Sequence, residues 1–580
     1  MVLSRRRVIR RRAGHQDSSR GDNENSLLAR ILGNRDHALK GTENYSLDRL
    51  SDPSRLKDGD KAAEILAKAL NRQQHVLIVG DYDADGATAT VLGKLAMEEM
   101  GFRNVSYLVP NRFEFGYGLS PEIARVALER SPDIVITVDN GISSVDGAAV
   151  IKDAGKTLVI TDHHLPGDTL PVADAILNPN QPECDFPEKT IAGVGVMFYL
   201  MLLLRKALRD KDWFSRKSAA EPNLSKYLDL VALGTVADVV PLAYNNRVLV
   251  ARGLERIRAG KCRPGILALL ETAGRNYRTA VTADIGFVVA PRLNAAGRLE
   301  DISVGIECLL ADQGEAAREL AGVLDDINSQ RKEIEQEMQQ QAMAIVRSLG
   351  KTDREDRHAI SLYQPDWHQG ITGLVASRVR EQTGRPVAVF AKVESGQLTG
   401  SCRSVSGFHI KDALDDIAAS SPGLMQKYGG HAMAAGLTIA EDNLEQFGLL
   451  FEGRARMHFL TQGDADELWS DGDLSFRELS LENAEALRYG APWGQGFAAP
   501  AFDTVFDVVE ARVVGDRHIK FVLSHPEGGR EYDAIAFSSV EPGQEPPRLE
   551  RIHALYQLDA NEFRGKKQLQ LVLEYFEAVG

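Results

Sequence analysis

The sequence lacks the patterns that mark membrane proteins and disulfide-rich proteins. Its 580 residues include only four cysteines, and no two of them form a CxxC pair, which disfavours both a disulfide framework and a structural zinc site. No stretch approaches the roughly 20 apolar residues that span a bilayer. The longest apolar-rich run, 194–204, indicates a buried helix. We therefore expect a protein of the reducing cytoplasm with no membrane partner.

Basic residues are outnumbered by acidic residues in the chain, although they are concentrated at the N-terminus. The chain has 68 Lys and Arg against 82 Asp and Glu, a formal net charge of −14. This balance disfavours nonspecific polyanion binding by the whole surface, although a groove can be basic on an acidic protein. Residues 1–16 contain six arginines and no apolar run. We interpret 1–45 as a basic, flexible arm and not as a secretory signal, with an organelle presequence as the alternative.

From about residue 60 the chain alternates between apolar runs and helical stretches. The strand candidates are His75–Val79, Val105–Val109, Ile134–Val138, Thr157–Ile160 and Ala175–Leu177. Continuous apolar strands separated by helices indicate a mainly parallel sheet covered on both faces. The pattern predicts an α/β domain over 46–310.

Three further segments follow. Residues 311–350 are polar, poor in glycine and rich in helix formers, which predicts a connector helix. Residues 351–462 indicate a second α/β domain, with strand candidates Ala359–Tyr363 and Val387–Ala391. Short alternating strands separated by Gly and Pro predict a small barrel, such as an OB-fold, over 463–580. Those strands are Val505–Val514, Ile519–Leu523, Tyr532–Phe537, Arg551–Gln557 and Gln568–Phe576.

Acidic side chains and histidines follow several of the apolar runs. They are Asp81, Asp83 and Asp85 in GDYDADG, Asp139 in DNG, Asp162, His163 and His164 in TDHH, and Asp238 in GTVAD. Because α/β sheets bind ligands outside the carboxyl ends of their strands, we expect these side chains at one rim. Carboxylates and imidazoles suit Mn²⁺ or Mg²⁺. Asp81 and Asp83 would share a face of an extended chain and could each hold one of two ions about 3.5–4 Å apart, with Asp139 placed to bridge.

Each of these motifs has a simpler interpretation when taken alone. The DxDxDG pattern resembles a calcium loop, but Leu92 stands where that loop has glutamate. Asp85 fits a helix cap or a supporting role better than a ligand role. The segment after Val138 could be a simple turn, and His163 and His164 could be a buried pair. The occurrence of four such motifs at four segment ends favours one shared site.

In this order and spacing, GDYDADG, VDNG, TDHH and GTVADVVPL resemble the four motifs of the DHH phosphoesterases. The resemblance implies two divalent ions, Mn²⁺ or Mg²⁺, held by five side chains: Asp81 for the first ion, Asp83, His163 and Asp238 for the second, and Asp139 between them. It further implies that His164 contacts the scissile phosphate and that Asp162 orients the histidines.

One departure from the family pattern concerns the first ion. Several relatives have a histidine ligand just upstream of the first acid, where this chain has Leu77 and Val79. His75 lies too early in the strand to reach the rim. The first ion is therefore expected to be bound weakly, with water or substrate oxygens completing its shell.

Other segments resemble the RecJ exonucleases, a branch of this family. These segments are APRLNAAGR (290–298) and PWGQG (492–496), while DWHQGITG (366–373) and KYGGH (427–431) resemble the DHHA1 substrate-binding domain. With them the resemblance extends over about 45–580. It implies hydrolysis of single-stranded DNA from the 5′ end to 5′-mononucleotides, in recombination and mismatch repair. It also implies a single-strand-binding protein and a RecQ-type helicase as partners, and a monomer is the simplest state.

The same resemblance implies a pocket for the 5′ phosphate. Its residues would be Arg112, Asn294, Arg298, Ser401, Arg403 and His431. Arginine forks hold phosphate in a bidentate manner, and glycine-rich segments let the backbone approach closely. For each arginine the alternative is a surface ion pair, and His431 could instead pack against Tyr428.

Two other functions compete with this interpretation. One is a DHH enzyme acting on dinucleotides or cyclic dinucleotides, which the additional C-terminal barrel disfavours. The other is a noncatalytic scaffold, which the complete set of acids disfavours. Aromatic residues of the barrel are expected in its core more often than on a nucleic-acid platform; they are Phe502, Phe506, Phe521, Tyr532, Phe537, Tyr556 and Phe563.

Overall fold

The N-terminal segment contains ordered elements. The computed structural model describes residues 6–12, 26–35, 45–111, 118–348, 357–393, 396–462, 465–515, 517–540, 543–563 and 566–579. Strand β1 (Arg6–Arg11) pairs with a later strand, Ala465–Ser470, and helix α1 (Leu27–Arg35) contributes to the barrel core. A flexible arm is therefore the wrong description of these two stretches. Their arginines form ion pairs with acids of the later segment, such as Arg10 with Glu467, which composition alone does not show.

The first sheet has five parallel strands in the order β3-β2-β4-β5-β6. They are β2 (Val76–Gly80), β3 (Val105–Leu108), β4 (Ile134–Val138), β5 (Thr157–Thr161) and β6 (Ala175–Leu177). Val76 and Ile78 pack into the core on one face, and Leu77 and Val79 into the core on the other. Strand β2 is consequently buried along its whole length. Between β2 and β4 lies the topological switch point, where such sheets bind ligands.

Helices cover both faces of this sheet. They are α2 (Gly59–Arg72), α3 (Ala84–Met100), α4 (Pro121–Glu129), α5 (Val145–Asp153), α6 (Gly193–Asp210), α7 (Trp213–Lys217), α8 (Leu228–Ala237), α9 (Tyr244–Arg258), α10 (Pro264–Thr272), α11 (Thr282–Asp284), α12 (Ala290–Leu299) and α13 (Ser303–Leu310). A π-helical turn, Ile285–Val289, joins α11 to α12. Helices α3, α6 and α8 pack on one face, and α4 and α5 on the other.

The chain divides into two compact units, and the division falls inside the long helix α14 (Gly314–Ser348). The unit that holds 328–469 contains a five-stranded mixed sheet in the order β10-β11-β9-β8-β7. Its strands are β7 (Ile360–Tyr363), β8 (Val387–Lys392), β9 (Gln397–Arg403), β10 (Met425–Gly430) and β11 (Ala434–Ala440). Helices α15 (Thr372–Thr383), α16 (Ile410–Ser420) and α17 (Leu444–Gln462) accompany it, and strand β12 (Ala465–Ser470) follows.

The other unit ends in a closed barrel of five strands, in the order β13-β14-β15-β17-β16. After α18 (Leu481–Gly490) come β13 (Phe502–Val514), β14 (His518–Ser524), β15 (Glu531–Ala536), β16 (Arg551–Phe563) and β17 (Lys566–Ala578). The predicted fold class, with a parallel sheet, a second α/β part and a terminal barrel, is confirmed. Among the described residues, no helix is long and apolar enough to cross a membrane.

The barrel aromatics lie mainly in the core, as expected. Five of them are buried, namely Phe502, Phe506, Phe521, Tyr532 and Tyr556. Phe537 differs from them because it is 56% exposed. The side chain of Phe563 lies outside the described residues.

Candidate metal centre

The carboxyl ends of β2 and β4 bring two buried acids to the switch point. Asp81 follows β2 and Asp139 follows β4, and both are almost fully buried. Asn140 connects the two strand ends, because its Nδ2 donates to the carbonyl oxygens of Val79 at 3.1 Å and Val138 at 2.9 Å. The Asp-Asn-Gly segment thus fixes the spacing between adjacent strand ends.

The predicted ligands form one continuous cluster. Three groups of side chains have ligating atoms within 4.8 Å of one another: Asp81, Asp83 and Asp139; Asp139, His163 and His164; and Asp85, His163 and Asp238. The Nε2 atom of His163 lies 3.1 Å from an oxygen of Asp139 and 3.4 Å from an oxygen of Asp238. All five predicted ligands are therefore brought together, and Asp139 and His163 each belong to two groups. Within these groups Asp85, not Asp83, accompanies His163 and Asp238.

Acids of the GDYDADG segment accept hydrogen bonds at the N-termini of two helices, α3 and α6. Asp83 accepts hydrogen bonds from the backbone N–H groups of Asp85 and Gly86, both at 3.0 Å, and so caps α3. Asp85 accepts from the N–H groups of Gly193 at 2.6 Å and Val194 at 2.9 Å, at the start of α6. From the sequence, Asp85 was expected either to cap the helix that follows it or to support the ligands. The structure gives the capping role to Asp83 and assigns Asp85 to a distant helix, which no local pattern signals.

Asp162 organises the histidine pair. One of its oxygens accepts from the N–H groups of His163 and His164 and lies 2.7 Å from Nδ1 of His164, while the other accepts from Ile142 N at 2.9 Å. Although burial acts to raise it, the hydrogen bond and charge of His164 hold the pKa of Asp162 below its usual range. Burial opposes the charged form of His164, but Asp162 outweighs it and raises the pKa of His164 to about 9. The pair is thereby fixed in one orientation.

The remaining acids of the cluster repel one another. Burial first, and then the charges of neighbouring carboxylates, raise the pKa values of Asp139 and Asp238 well above their usual range. Burial and the charge of Asp83 raise the pKa of Asp85 to about 7. A divalent cation would relieve this repulsion, and oxygen and imidazole donors are the ligands that Mn²⁺ and Mg²⁺ accept in proteins. The donor set therefore fits a divalent metal centre.

Two glycines allow the close packing around this cluster. A Cβ on Gly193 would lie 2.6 Å from Oδ1 of Asp139, so only glycine leaves room for that carboxylate beside α6. A Cβ on Gly297 would lie 1.9 Å from the carbonyl oxygen of Tyr82, so α12 can press directly on the acidic loop. These contacts fix two helices against the metal-binding segments.

Three family models match the chain. Residues 75–235 match the DHH family N-terminal domain, residues 356–454 the DHHA1 domain and residues 470–575 the RecJ OB domain. Over 576 residues the chain is 47% identical to the single-stranded-DNA-specific exonuclease RecJ of Salmonella typhimurium, covering 99% of both chains. The chain belongs to the RecJ exonuclease family. It is therefore an enzyme, a nuclease of the DHH type.

Solved structures of RecJ are similar to 95% of the chain. The RecJ of Thermus thermophilus in complex with Mn²⁺ has a TM-score of 0.77 and 28% identity, covering 95% of this chain and 76% of that one. The same protein in complex with Mg²⁺ has a TM-score of 0.70 and 26% identity, covering 95% and 75%. Together with the acid and histidine cluster, these similarities support divalent metal use by this RecJ-family chain.

Two residues predicted to bind substrate lie on α12. Asn294 accepts a hydrogen bond from Ala84 N at 2.8 Å, so its side chain supports the start of α3. Arg298 lies four residues later and hence on the same helix face. Arg112, the third predicted contact from this part of the RecJ-family chain, lies outside the described residues.

The other three residues predicted to bind substrate lie in the unit that holds 328–469. Ser401 and Arg403 are on β9, opposite Gly436 and Ala434 of β11. The hydroxyl of Ser401 lies 2.9 Å from that of Thr372, a neighbour that sequence reasoning did not identify. Burial lowers the pKa of Arg403. His431 is exposed in the turn between β10 and β11, and its N–H donates to Ala434 O at 2.8 Å.

The structure of β2 shows what replaces the histidine that several relatives have just upstream of the first acid. Leu77 and Val79 are completely buried in the core on one face of the sheet. His75 precedes β2, at the edge opposite Asp81, and its Nε2 lies 2.7 Å from the hydroxyl of Ser106. Asp81 therefore has no histidine neighbour within its own strand.

Proposed function

We propose that the chain is a single-strand-specific exonuclease that degrades DNA from the 5′ end to 5′-mononucleotides with two divalent ions. The observation that carries this proposal is the overlap of three ligand groups at the switch point, with Asp139 and His163 common to two groups each. Its substrate follows that of the RecJ relatives, which are named single-stranded-DNA-specific exonucleases.

The proposed roles are those that the family resemblance implies, although the ligating atoms of Asp83 group with those of Asp81 and Asp139 and not with those of His163 and Asp238. Asp81 would hold the first ion, and Asp83, His163 and Asp238 the second. The membership of Asp139 in two groups supports a bridging role for its carboxylate. Bound Mn²⁺ or Mg²⁺ would supply an activated water and stabilise negative charge on the phosphate. The first ion is proposed to be the weaker one because Leu77 and Val79 offer no ligand beside Asp81.

His164 and Asp162 are proposed to act on the scissile phosphate together. Asp162 holds Nδ1 of His164 and favours the imidazolium, whose remaining ring N–H, on Nε2, is the one that can donate to a phosphate oxygen. Such a donor stabilises the charge that develops as the phosphodiester is cleaved. Asp162 would contribute by fixing the ring orientation.

The 5′ polarity is proposed to depend on a set of side chains that bind the 5′ phosphate. Its residues would be Arg112, Asn294, Arg298, Ser401, Arg403 and His431. The partial burial of Arg403 and the hydroxyl pair of Ser401 and Thr372 suit a phosphate. The barrel would bind the strand further along, as OB-folds do.

The working division of the chain is proposed as a catalytic part over 46–310, a connector over 311–350, a substrate-binding part over 351–462 and a nucleic-acid-binding part over 463–580. The matches to the DHH, DHHA1 and RecJ OB models each lie inside one of these segments. The proposed setting is a cytoplasmic monomer in recombination and mismatch repair, supplied with substrate by a single-strand-binding protein and a RecQ-type helicase.

The test is digestion of single- and double-stranded DNA, labelled at either end, with Mn²⁺, Mg²⁺ or EDTA. We expect metal-dependent release of the 5′ label as a mononucleotide from single strands only. His163→Gln should abolish release, whereas His75→Gln, a histidine at the opposite edge of the same sheet, should leave it unchanged. Preferred hydrolysis of dinucleotides, or full activity in His163→Gln, would contradict the proposal.

A further inference from the structure

Two large apolar side chains are exposed on segments that adjoin each other, and one of them directly follows a predicted metal ligand. Phe287 is 83% exposed and Val239 is 61% exposed. Val239 directly follows the predicted ligand Asp238 at the end of α8. Phe287 is on the π-helical turn that packs against this helix end, since a Cβ on Gly286 would lie 3.3 Å from Cγ1 of Val236. The two side chains therefore belong to adjoining segments.

The backbone at Val239 is strained. Its φ is +60°, and of the non-glycine residues with positive φ in the described ranges it is the only β-branched one. This conformation after a helix end is usually taken by glycine, which has no Cβ to clash. The chain is fixed immediately afterwards, because Val240 and Leu242 are buried and Leu242 N donates to Gln495 O at 2.7 Å. The strain thus keeps an apolar side chain at the surface next to Asp238.

Phe287 is held outward by an unusual helical turn. Ile285 and Val289 of the same turn are fully buried, whereas the phenyl ring between them is exposed. Arg292 stabilises the turn, since it donates to Val288 O at 2.7 Å and pairs with Asp325 at 2.7 Å. Single π-helical turns occur frequently at functional sites. The helix that follows this turn, α12, contains Asn294 and Arg298.

A lone exposed apolar residue is common and needs no explanation. Here two of them lie on adjoining segments, each with an uncommon backbone conformation, and Val239 directly follows the predicted ligand Asp238. In single-stranded DNA the bases next to a phosphate are unpaired and present apolar faces. Aromatic side chains stack on such faces without sequence preference.

We propose that Phe287 and Val239 form a platform for a nucleobase next to the scissile phosphate, with Phe287 stacking on the base and Val239 packing against its edge. The proposal rests on the proposed exonuclease function and adds the residues that position the strand. It makes Phe287 a positioning residue for single-stranded DNA, without sequence preference.

The test combines Phe287→Ala with 5′-phosphorylated single strands that carry one abasic nucleotide at successive positions from the 5′ end. For wild type, KM should rise about tenfold when the abasic site removes the stacked base, as expected for the loss of one base–aromatic contact. Phe287→Ala should raise KM on intact DNA by a similar factor and should respond no further to that abasic position. Phe287→Tyr should restore the wild-type value.

Val239→Gly separates strand positioning from folding. Glycine suits the positive φ, so the melting temperature should stay equal or rise while KM for DNA increases. Leu449 is an exposed apolar residue of the unit that holds 328–469, so Leu449→Ala is the matched control. It should change neither the melting temperature nor KM.

Three outcomes are distinguishable. If wild type degrades single strands but Phe287→Ala has an unchanged KM and unchanged abasic sensitivity, the platform is wrong and the exonuclease function stands. If wild type shows no metal-dependent degradation, the proposed function itself fails. If Phe287→Ala changes only the binding of a protein, the exposed ring serves a partner and not DNA.

Discussion

Two buried carboxylates in the same unit show opposite electrostatic designs. Asp139 in the first sheet and Asp503 in the barrel are each at most 3% exposed. Burial and the charges of four neighbouring acids raise the pKa of Asp139 well above its usual range. Asp503 is equally buried, but hydrogen bonds from His553, Arg11 and Ser470 outweigh burial and lower its pKa to about 2.

The difference lies in the source of the compensating charge. Asp503 accepts two hydrogen bonds from Arg11, at 2.9 and 2.8 Å, and lies 3.1 Å from Nε2 of His553. Asp139 lies among four further acids and two histidines, so the side chains around it do not neutralise the cluster. The chain itself neutralises the carboxylate in the barrel, whereas the carboxylate that is predicted to bind a metal would depend on an external cation. The following predictions test this contrast, from the largest expected effect to the smallest.

The largest effect is expected at Asp139. Asp139→Asn keeps the shape of the side chain but removes the charge that the two ions would share. We expect the cleavage rate with saturating Mn²⁺ to fall by at least about 10³-fold, since bound metal supplies several kcal/mol of transition-state stabilisation. Because the variant also removes like-charge repulsion, its melting temperature in EDTA should be unchanged or higher. Single-turnover cleavage and thermal melting measure the two quantities, and a variant that retains cleavage would refute the bridging role.

The second effect is on stability. Mn²⁺ at 100 times its dissociation constant should stabilise wild type by about 2.7 kcal/mol, because it binds the folded cluster and not the unfolded chain. Thermal melting with added Mn²⁺, and again after EDTA, measures the shift. Asp139→Asn should lose most of it, whereas Asp503→Asn should retain it in full. An equal shift in both variants would place the bound metal elsewhere.

The fold was largely predictable because its signals are local. The apolar run Ile134–Val138 matches strand β4 residue for residue, and the helix predicted over 311–350 includes helix α14 (Gly314–Ser348). The strands that were missed are less apolar or rich in glycine. Ser401 and Arg403 were interpreted as part of a glycine-rich segment, but they are on strand β9. The residues of this strand alternate in burial, yet its sequence shows only a weak alternation of apolar and polar residues. Strand β1 consists mostly of arginines, and its partner strand lies about 460 residues away, so no local pattern predicts it.

The residues of the site could be predicted from the sequence, but the hydrogen bonds that connect them could not. The rule that ligands gather at carboxyl ends of parallel strands placed Asp81, Asp139 and His163 at one rim. The hydrogen bonds of Asp85 to the start of α6 join residues more than 100 positions apart. The positive φ of Val239 and the π-helical turn at Phe287 are likewise set by tertiary packing. Such features leave no periodic signal.

The smallest effect is expected at Asp503, and its size depends on pH. A carboxyl whose pKa falls from about 3.9 in the unfolded chain to about 2 in the folded protein stabilises the fold above pH 4, and this contribution is lost as the pH falls through 4 towards 2. The raised pKa of His553 has the opposite sign, because its contribution is complete below about pH 6.5 and is lost as the pH rises through its folded value. Asp503→Asn should therefore lower the free energy of unfolding by about 2 kcal/mol between pH 4.5 and 6, with smaller differences at pH 3 and at pH 9. Denaturant unfolding of both proteins at these pH values measures the difference. Because Arg11 is half exposed, added salt should reduce the contribution of the Arg11–Asp503 ion pair to stability. A stability difference that does not change with pH would mean that Asp503 contributes through its shape and not through its charge.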